Sequence, residues 1–337
     1  MSVIVSVLCS VAGAALVLLV LRDAFEALFH PDGRTVLSRA IMRGSWRLFH
    51  RLCVRRPGSL PLAGPFTLVT IVSSWAVLLA AGWALILWPH FPDGFRFASE
   101  LGPPENQRGF IDASYMSLVT LGTIGYGDIS PSSDALRLLV PVEALVGFGL
   151  LTAAVSWLLS VYPALSRRRS LAYEITLLRE AAEGAPNGDF VRRHADSAER
   201  IFTELLSRLV AVERDLVTIP LSYYFTERDE RFSLAAVMPW LLALADQGLA
   251  GDVAAPTRLR ARMLHAAIDD FARSTARRFH GGDLGTTADL LEHYARDQLC
   301  EPASRPGVGE RQLPGDVPDA DARRTGRMRS TGSAARR

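Results

Sequence analysis

The sequence predicts an all-α membrane protein whose apolar first half carries membrane helices and whose polar second half forms a helical domain. Of the 337 residues, 49% are hydrophobic, and the excess is concentrated in the first half. Three long apolar stretches lie there, at residues 3–21, 66–88 and 135–161. Each is close to or longer than the roughly 20 residues that a helix needs to cross a bilayer. Beyond residue 168, apolar residues recur at helical spacing among charged ones.

The first stretch predicts a transmembrane helix over residues 1–21. Residues 3–21 contain no charged side chain. A secretory signal begins with basic residues, but no Lys or Arg precedes Arg22, which follows the apolar run. We therefore predict a retained membrane helix, with a cleaved signal peptide as the alternative.

Residues 22–65 form a basic segment, with eight arginines against three acidic residues. This excess places the segment in the cytoplasm and the N-terminus outside. Five of the arginines recur at every fourth residue, with apolar residues largely on the other side: Arg39, Arg43, Arg47, Arg51 and Arg55. The pattern is typical of an amphipathic helix on the inner leaflet, with arginines toward anionic lipid. A voltage sensor is the alternative, although its arginines would lie at every third position of an apolar span.

The second and third spans enclose a short apolar stretch. Residues 66–88 are uncharged, and the loop at 89–108 is rich in Pro, Gly and acids, as suits an external loop. Residues 110–121 are apolar but too short to span, which is typical of a re-entrant helix. The last span, 135–161, would be about 40 Å long as a helix, so its inner end projects into the cytoplasm.

Between the re-entrant helix and the last span lies a glycine-rich stretch, residues 120–128, with the sequence TLGTIGYGD. Irregular backbone at membrane depth is tolerated only where it is buried in protein or lines a water-filled path. Glycines let the backbone aim successive carbonyls at one axis. Four copies around that axis would give stacked rings of oxygens that replace the water shell of a cation. A glycine-rich turn between two helices is the alternative, and a phosphate loop is excluded because no Gly-Lys-Ser/Thr follows.

Residues 123–128, Thr-Ile-Gly-Tyr-Gly-Asp, resemble the selectivity filter of potassium channels, with Ile where Val is more usual. The resemblance is strong over residues 110–128 and looser over 66–162. It implies the two-transmembrane pore domain of bacterial potassium channels, with an outer helix, a pore helix, a filter and an inner helix. An extra membrane helix precedes that domain here. The mechanism of this filter is the one already understood for potassium channels in general.

The resemblance also implies a role for each filter residue. Backbone carbonyls of Thr123, Ile124, Gly125 and Tyr126 would coordinate K⁺, and the Thr123 hydroxyl would form the innermost ring. Gly125 and Gly127 would supply unusual backbone angles. Tyr126 would brace the filter from the side that faces away from the axis. The last position of the motif, Asp128, would cap it on the outer side.

A ring of carbonyls needs four filters and each chain holds one, so the resemblance implies a homotetramer in the plasma membrane. It implies a passive channel that is not an enzyme, with K⁺ as the permeant ion, no other cofactor and no nucleic-acid partner. Four positions depart from the common pattern: Tyr115, Met116, Val119 and Gly122. One alternative is therefore a poorly selective cation channel. The other is a membrane-anchored sensor or interaction protein that retains the pore fold.

Three residues of the last span are candidates for pore support or gating. Glu143 is the one acid within a span, and a charge at the bilayer centre costs about 3 kcal/mol, so it faces protein or water. It either attracts cations and supports the pore near the inner mouth or behind the filter, or it hydrogen-bonds to the pore helix. Gly147 and Gly149 resemble hinge glycines of the family, with close helix packing as the alternative.

Residues 163–302 predict a helical cytoplasmic domain, which begins near the arginines at 167–169. Candidate helices cover 168–184, 189–217, 232–249, 256–280 and 285–300. Apolar residues from Ala198 to Leu216 follow a heptad-like seam. The seam predicts packing inside a helical domain or, alternatively, a tetrameric coiled coil.

The three cysteines and the C-terminal segment lie outside the motifs described above. Cys9, Cys53 and Cys300 show no motif spacing, so we expect free thiols and neither a disulfide framework nor a metal site. Residues 303–337 are rich in Pro, Gly, Arg and Ser and have almost no large apolar residues. We predict that they form a disordered tail.

Overall fold

The structure is a computed structural model that describes residues 2–29, 35–55, 58–98, 109–183, 190–282 and 285–299. The predicted disordered tail and Cys300 lie outside these residues. The described part is mostly helical. Its helices are α1 (Val3–Phe29), α2 (Leu37–Arg55), α3 (Ala63–Leu87), α4 (Phe110–Leu121), α5 (Asp134–Glu183), α6 (Phe190–Arg193), α7 (Ala195–Thr218), α8 (Leu234–Gly248), α9 (Ala255–Thr275) and α10 (Thr287–Leu299). Two three-residue strands, β1 (Phe95–Phe97) and β2 (Ile129–Pro131), form one antiparallel pair.

Within the described residues, three helical segments are long and apolar enough to cross a membrane: Val3–Leu28, Leu60–His90 and Asp134–Ala182. They contain the three spans that the apolar runs predict. The short helix α4 coincides with the predicted re-entrant stretch at 110–121. The protein is therefore a helical membrane protein.

The helix α5 differs from the prediction because it runs unbroken for 50 residues. The sequence predicts a last span and a separate helix at 168–184. The arginines at 167–169 change the polarity of the chain but do not oppose helical backbone, since Arg is a good helix former. Pro141 and Pro163 also lie inside this helix. The change in polarity therefore falls in the middle of one helix.

The short strand pair lies beside the glycine-rich stretch and was not predicted. Phe97 pairs with Ile129, and the Ala98 amide donates to the Asp128 carbonyl at 2.8 Å. Three-residue strands carry too little alternation to be recognised in a sequence. The pair ties the end of the glycine-rich stretch to the chain that follows α3.

A buried carboxylate joins the first three helices. Asp23 in α1 is only 7% exposed. Its Oδ1 accepts the Leu37 amide at 3.1 Å, and its Oδ2 accepts the Ser38 amide at 3.2 Å and the Trp75 indole N–H at 3.1 Å. Two of these donors are amides of the first turn of α2, which have no partner within the helix. Asp23 thus caps α2 and also holds it beside α3.

The apolar face of α2 packs against the C-terminal helices. The Trp46 indole donates to Asp297 at 3.1 Å, and His50 Nε2 lies 2.9 Å from the Asp297 carbonyl oxygen. Tyr223 also donates to the Asp297 carboxylate, and His280 lies 3.3 Å from it. Burial opposes ionisation of this carboxyl, but these donors more than offset burial and hold its pKa well below the usual range. Asp297 therefore anchors α2 to α10.

The other face of α2 carries the arginines. The side chains of Arg39, Arg43, Arg47 and Arg51 are exposed, and that of Arg55 lies outside the described residues. Residues 37–55 thus form one helix with these arginines on its exposed side, and its place on the inner leaflet stays a prediction. Its opposite face covers protein through Trp46 and Asp297, because the C-terminal helices supply the partner that the sequence pattern alone could not show.

The C-terminal helices pack around the seam of α7. All six seam residues are buried within the same chain: Ala198, Phe202, Leu205, Leu209, Val212 and Leu216. Burial of the seam within its own chain favours packing inside one helical domain over a tetrameric coiled coil along this seam. A seam already buried within its own chain offers no apolar surface to three other copies.

The arginine run at 167–169 ties α5 to these helices. Arg167 donates two hydrogen bonds to Asp215, each of 2.7 Å. Arg168 is 8% exposed and donates to two backbone carbonyls, one of them Ser222 at 2.8 Å. Arg169 pairs with Glu227 at 2.8 Å. These side chains bind protein, so the run joins α5 to the C-terminal helices in addition to marking the end of the membrane span.

The cysteines differ from expectation at one position. Cys53 in α2 is disulfide-bonded, which corrects the predicted free thiol. Cys9 is free, as predicted. Spacing along the sequence does not predict such a bond, because the pairing depends on which segments the fold brings together.

Candidate functional site

The glycine-rich stretch turns back directly at the end of α4. The amides of Gly122, Thr123 and Ile124 donate to carbonyls in the last turn of α4, at 2.9, 3.0 and 2.9 Å. The acceptors are Leu118, Thr120 and Val119, in that order. The last carbonyls of a helix have no partner within it, and these contacts supply hydrogen-bond donors to three of them. They also fix where the stretch begins.

The backbone of residues 123–127 alternates in handedness. Thr123, Gly125 and Gly127 have φ angles of +55°, +61° and +79°, whereas Ile124 and Tyr126 do not have positive φ. In an extended strand, successive residues face opposite sides. A positive φ at every second residue breaks this regular alternation. The stretch is therefore not an ordinary strand, and its left-handed positions can turn neighbouring peptide groups toward one side.

The left-handed positions explain the residue types. A residue with a Cβ pays about 1–2 kcal/mol to adopt this conformation, and glycine does not. Gly125 and Gly127 occupy two of these positions, so glycine is required there by backbone angle. Thr123 is the one non-glycine residue with positive φ among the described residues. Such strain concentrates at functional sites.

The stretch lies at the surface of the single chain. Residues 122–127 are exposed, including 56% of Ile124 and 68% of Tyr126. Large apolar and aromatic side chains are thus left uncovered on this stretch. An exposed apolar patch of this kind marks a surface that contacts another molecule.

The far end of the stretch is held by a tyrosine. The Tyr115 hydroxyl donates to Asp128 Oδ2 at 2.6 Å, and the amide of Ile129 donates to Oδ1 at 3.0 Å. Tyr115 is one of the positions that depart from the common pattern of potassium channels. No local pattern indicates its role, because the contact joins residues that are 13 apart across the turn. Asp128 is therefore anchored to α4 and to its own backbone.

Glu143 lies behind the stretch, fully buried between α3, α4 and α5. Its Oε1 is 2.5 Å from the Ser117 hydroxyl, which is also 3.0 Å from the Ala80 carbonyl. A serine hydroxyl has one proton and donates to one acceptor. Both contacts are hydrogen bonds only if Glu143 carries a proton, donates to Ser117, and Ser117 donates to Ala80. The other oxygen, Oε2, has no partner among the described residues, which also opposes a charge.

A neutral Glu143 predicts that Glu143→Gln leaves the fold intact. The glutamine amide still donates to Ser117, so we expect the unfolding temperature in detergent to stay within a few degrees of the native value. Ser117→Ala leaves buried groups without a partner, which costs about 1–3 kcal/mol. Thermal unfolding followed by circular dichroism measures both effects.

The control for this pair is Ser114→Ala on the same helix. Ser114 donates to Phe110 of its own helix at 2.8 Å and contacts no second helix through this bond. We expect a small effect from its loss. An unfolding temperature lowered as much by Glu143→Gln as by Ser117→Ala would show that Glu143 is ionised.

Gly147 and Gly149 have different surroundings. A Cβ on Gly147 would lie 2.1 Å from the carbonyl oxygen of Leu121, the last residue of α4. A Cβ on Gly149 would meet nothing within 4 Å. The structure therefore brings Glu143 and Gly147 together with α4, directly behind residues 123–128. It leaves Gly149 apart from them.

Comparison with known proteins places this site in a family. The model of the ion channel family matches residues 66–162. The uncharacterized membrane protein YdjJ of Bacillus subtilis is 25% identical over 154 residues, which are 46% of this chain and 44% of that protein. The two pore potassium channel c of Oryza sativa subsp. japonica is 42% identical over 69 residues, which are 19% of this chain and 14% of that protein.

The chain spans less than half the length of both curated relatives. No solved structure matches it. The matched segment contains α3, α4, the glycine-rich stretch and the first half of α5, so the outer helix, pore helix and inner helix can be named. Residues 66–162, which hold this site, therefore match the ion channel family, which is not a family of enzymes.

Proposed function

We propose that the protein is a homotetrameric, potassium-selective channel that conducts K⁺ passively. Carbonyls of Thr123, Ile124, Gly125 and Tyr126 coordinate the ion, and the Thr123 hydroxyl completes the inner end. The observation that carries this proposal is the positive φ angle at every second residue from 123 to 127. Four such rows around one axis offer a dehydrated cation successive rings of oxygens.

The exposure of the filter supports a tetramer. In the single chain Ile124 and Tyr126 are 56% and 68% exposed, although both lie at membrane depth in this proposal. Neighbouring copies would cover these side chains and close the path for the ion. Irregular backbone at membrane depth is tolerated only in such surroundings.

Two observations support potassium as the ion. Residues 123–128 resemble the filter of potassium channels, with Ile where Val is more usual, and a relative 42% identical over 69 residues is named a potassium channel. The filter is also braced at both ends, by α4 carbonyls near Thr123 and by Tyr115 at Asp128. Val119 and Gly122 depart from the common pattern, and a loosely held filter would favour weak selectivity. These contacts hold the filter in place despite the two departures.

Behind the filter, Glu143 and Gly147 serve as pore support. Glu143 links the inner helix to the pore helix through Ser117, and Gly147 lets the two backbones touch. Gly149 lies free of this contact and is the better position for bending of the inner helix.

The distribution of charge gives the orientation. Eight arginines between residues 22 and 65 place that segment in the cytoplasm, because cytoplasmic loops are enriched in Lys and Arg. The N-terminus is then external, the filter opens outward and the C-terminal helices are cytoplasmic, in the plasma membrane. The arginines of α2 lie near the anionic inner leaflet: Arg39, Arg43, Arg47, Arg51 and Arg55.

Reconstituted protein tests the proposal directly. The full chain is incorporated into liposomes, and the reversal potential is measured with K⁺ on one side and Na⁺ on the other. We expect a current whose reversal potential follows the K⁺ gradient, absent from protein-free liposomes. Equal permeability to Na⁺ would identify a poorly selective cation channel. Absence of current across a full range of voltage and pH would favour the membrane-anchored sensor.

A further inference from the structure

A cavity of about 400 Å³ lies where α1, α2, α5 and the C-terminal helices meet. It is large enough for a small ligand or a lipid headgroup, since ligand pockets span about 300–1,000 Å³. It is distant in sequence from the filter and shares no residue with it. The only wall residue from the inner helix is Trp157, which lies fourteen residues, or about four turns of helix, beyond Glu143.

Along α5, Trp157 follows Gly147 by ten residues, which corresponds to about 15 Å of helix between the pore support and the cavity. The cavity therefore belongs to the end of the membrane helices and not to the filter. Tryptophan is favoured at the boundary between a membrane and water. In the proposed orientation, this boundary is the cytoplasmic one.

Four arginines from two separate elements line the cavity. Arg39 and Arg43 come from α2, and Arg277 and Arg278 come from the π-helical turn Ala276–His280 that follows α9. Guanidinium groups recognise phosphate by paired, charge-assisted hydrogen bonds. Two pairs of arginines from separate elements that line one cavity are suited to binding a shared anion.

Among the residues that line the cavity, one is an acid. Glu26 lines the cavity, but it pairs with Arg22 at 2.8 Å. Glu213 acts electrostatically on Arg277 and Arg278 from α7 and does not line the cavity. The lining thus holds four guanidinium groups against one carboxylate, and that carboxylate is already paired.

The remaining wall is apolar and aromatic. Trp157, Met42 and Phe279 form part of it, and Tyr224 adds a hydroxyl. Burial raises the pKa of Tyr224 to about 12, so this hydroxyl keeps its proton and can donate to an anion. A ligand that fits both parts of the wall has a phosphate group beside an apolar portion.

We propose that this cavity binds a phosphate-bearing ligand, which bridges α2 and the turn after α9. An anionic phospholipid headgroup of the inner leaflet and a soluble organic phosphate share this chemistry. The proposal does not depend on ion conduction, because the site is defined by binding alone.

Binding to the full-length protein in detergent tests the proposal. The probes are dioctanoyl phosphatidylglycerol, glycerol 3-phosphate and dioctanoylglycerol, which has the same chains without phosphate. We expect saturable binding of a phosphate probe by titration calorimetry, with a raised unfolding temperature, and none of dioctanoylglycerol. Binding of the lipid alone identifies a headgroup site, whereas equal binding of glycerol 3-phosphate identifies a site for soluble phosphates.

Two charge-matched double variants decide whether the cavity is the site. Arg43→Gln with Arg278→Gln removes one guanidinium from each side, and we expect affinity to fall by about tenfold or more per arginine. Arg214→Gln with Arg262→Gln removes the same charge from exposed positions on α7 and α9, outside this cavity, and we expect less than a twofold change. If the first pair lowers the unfolding temperature without ligand, Arg39→Gln with Arg277→Gln provides the same test. Equal losses in both kinds of variant, or no saturable binding of either phosphate probe, would overturn the proposal.

Discussion

Gly125→Asp abolishes potassium flux in liposomes, down to the level of protein-free liposomes. Gly125 has a φ of +61°, and a residue with a Cβ pays about 1–2 kcal/mol per chain to keep this conformation. In a tetramer the strain occurs four times, and four carboxylates crowd the ion path. Potassium-driven uptake of a fluorescent reporter cation measures the flux, while size-exclusion chromatography checks that the variant still assembles.

The matched control is Gly58→Asp. Gly58 also has a left-handed backbone, with φ of +95°, and a Cβ there would meet nothing within 4 Å. This glycine lies in the turn before α3, so the same substitution imposes comparable local strain away from the filter. We expect Gly58→Asp to retain most of the flux. Full flux in an assembled Gly125→Asp channel would remove residue 125 from the ion path.

Gly147→Ala destabilises the pore, whereas Gly149→Ala does not. The new methyl group at position 147 would lie 2.1 Å from the Leu121 carbonyl oxygen, which is backbone and cannot rotate away. The inner helix must shift away from the pore helix, and overpacking of this kind costs about 1–3 kcal/mol. At position 149 the space is open, and replacing a glycine inside a helix by alanine gains about 1 kcal/mol.

Unfolding temperature and flux together separate packing from hinge bending. Packing predicts that Gly147→Ala lowers both, and that Gly149→Ala raises the unfolding temperature slightly. A hinge at Gly149 predicts that its alanine variant is stable but opens less often in single-channel recordings. Equal stability of the two alanine variants would contradict the contact between Gly147 and Leu121.

Several elements could be predicted because a short-range pattern decides them. Run length and polarity locate the membrane helices and α4, since a bilayer sets the length of an uncharged helix. The seam of α7 follows from its own spacing of apolar residues. The resemblance to the filter motif predicts the positive φ angles at Gly125 and Gly127, because both positions are glycine. It does not predict the positive φ of Thr123.

Other features depend on which helices meet, and no local pattern encodes this. The contact between Ser117 and Glu143 joins residues 26 apart, and the one between Trp46 and Asp297 joins residues 251 apart. The sequence alone shows that Glu143 is costly in a membrane. Its partner Ser117 can be identified only when the crossing of α4 and α5 is known. The disulfide at Cys53 was missed for the same reason.

Beyond Gly149, the position proposed for bending, the helix α5 continues unbroken as a long lever. From Gly149 to its end at Glu183 it extends for 34 residues, or about 51 Å. A tilt of about 5° at Gly149 displaces the far end by about 4 Å, from this length alone. Arg167, Arg168 and Arg169 clamp the lever to the C-terminal helices, so a small rotation beside the filter becomes a large displacement of that domain. Mechanical work done on the C-terminal helices reaches the filter by the same arm in reverse.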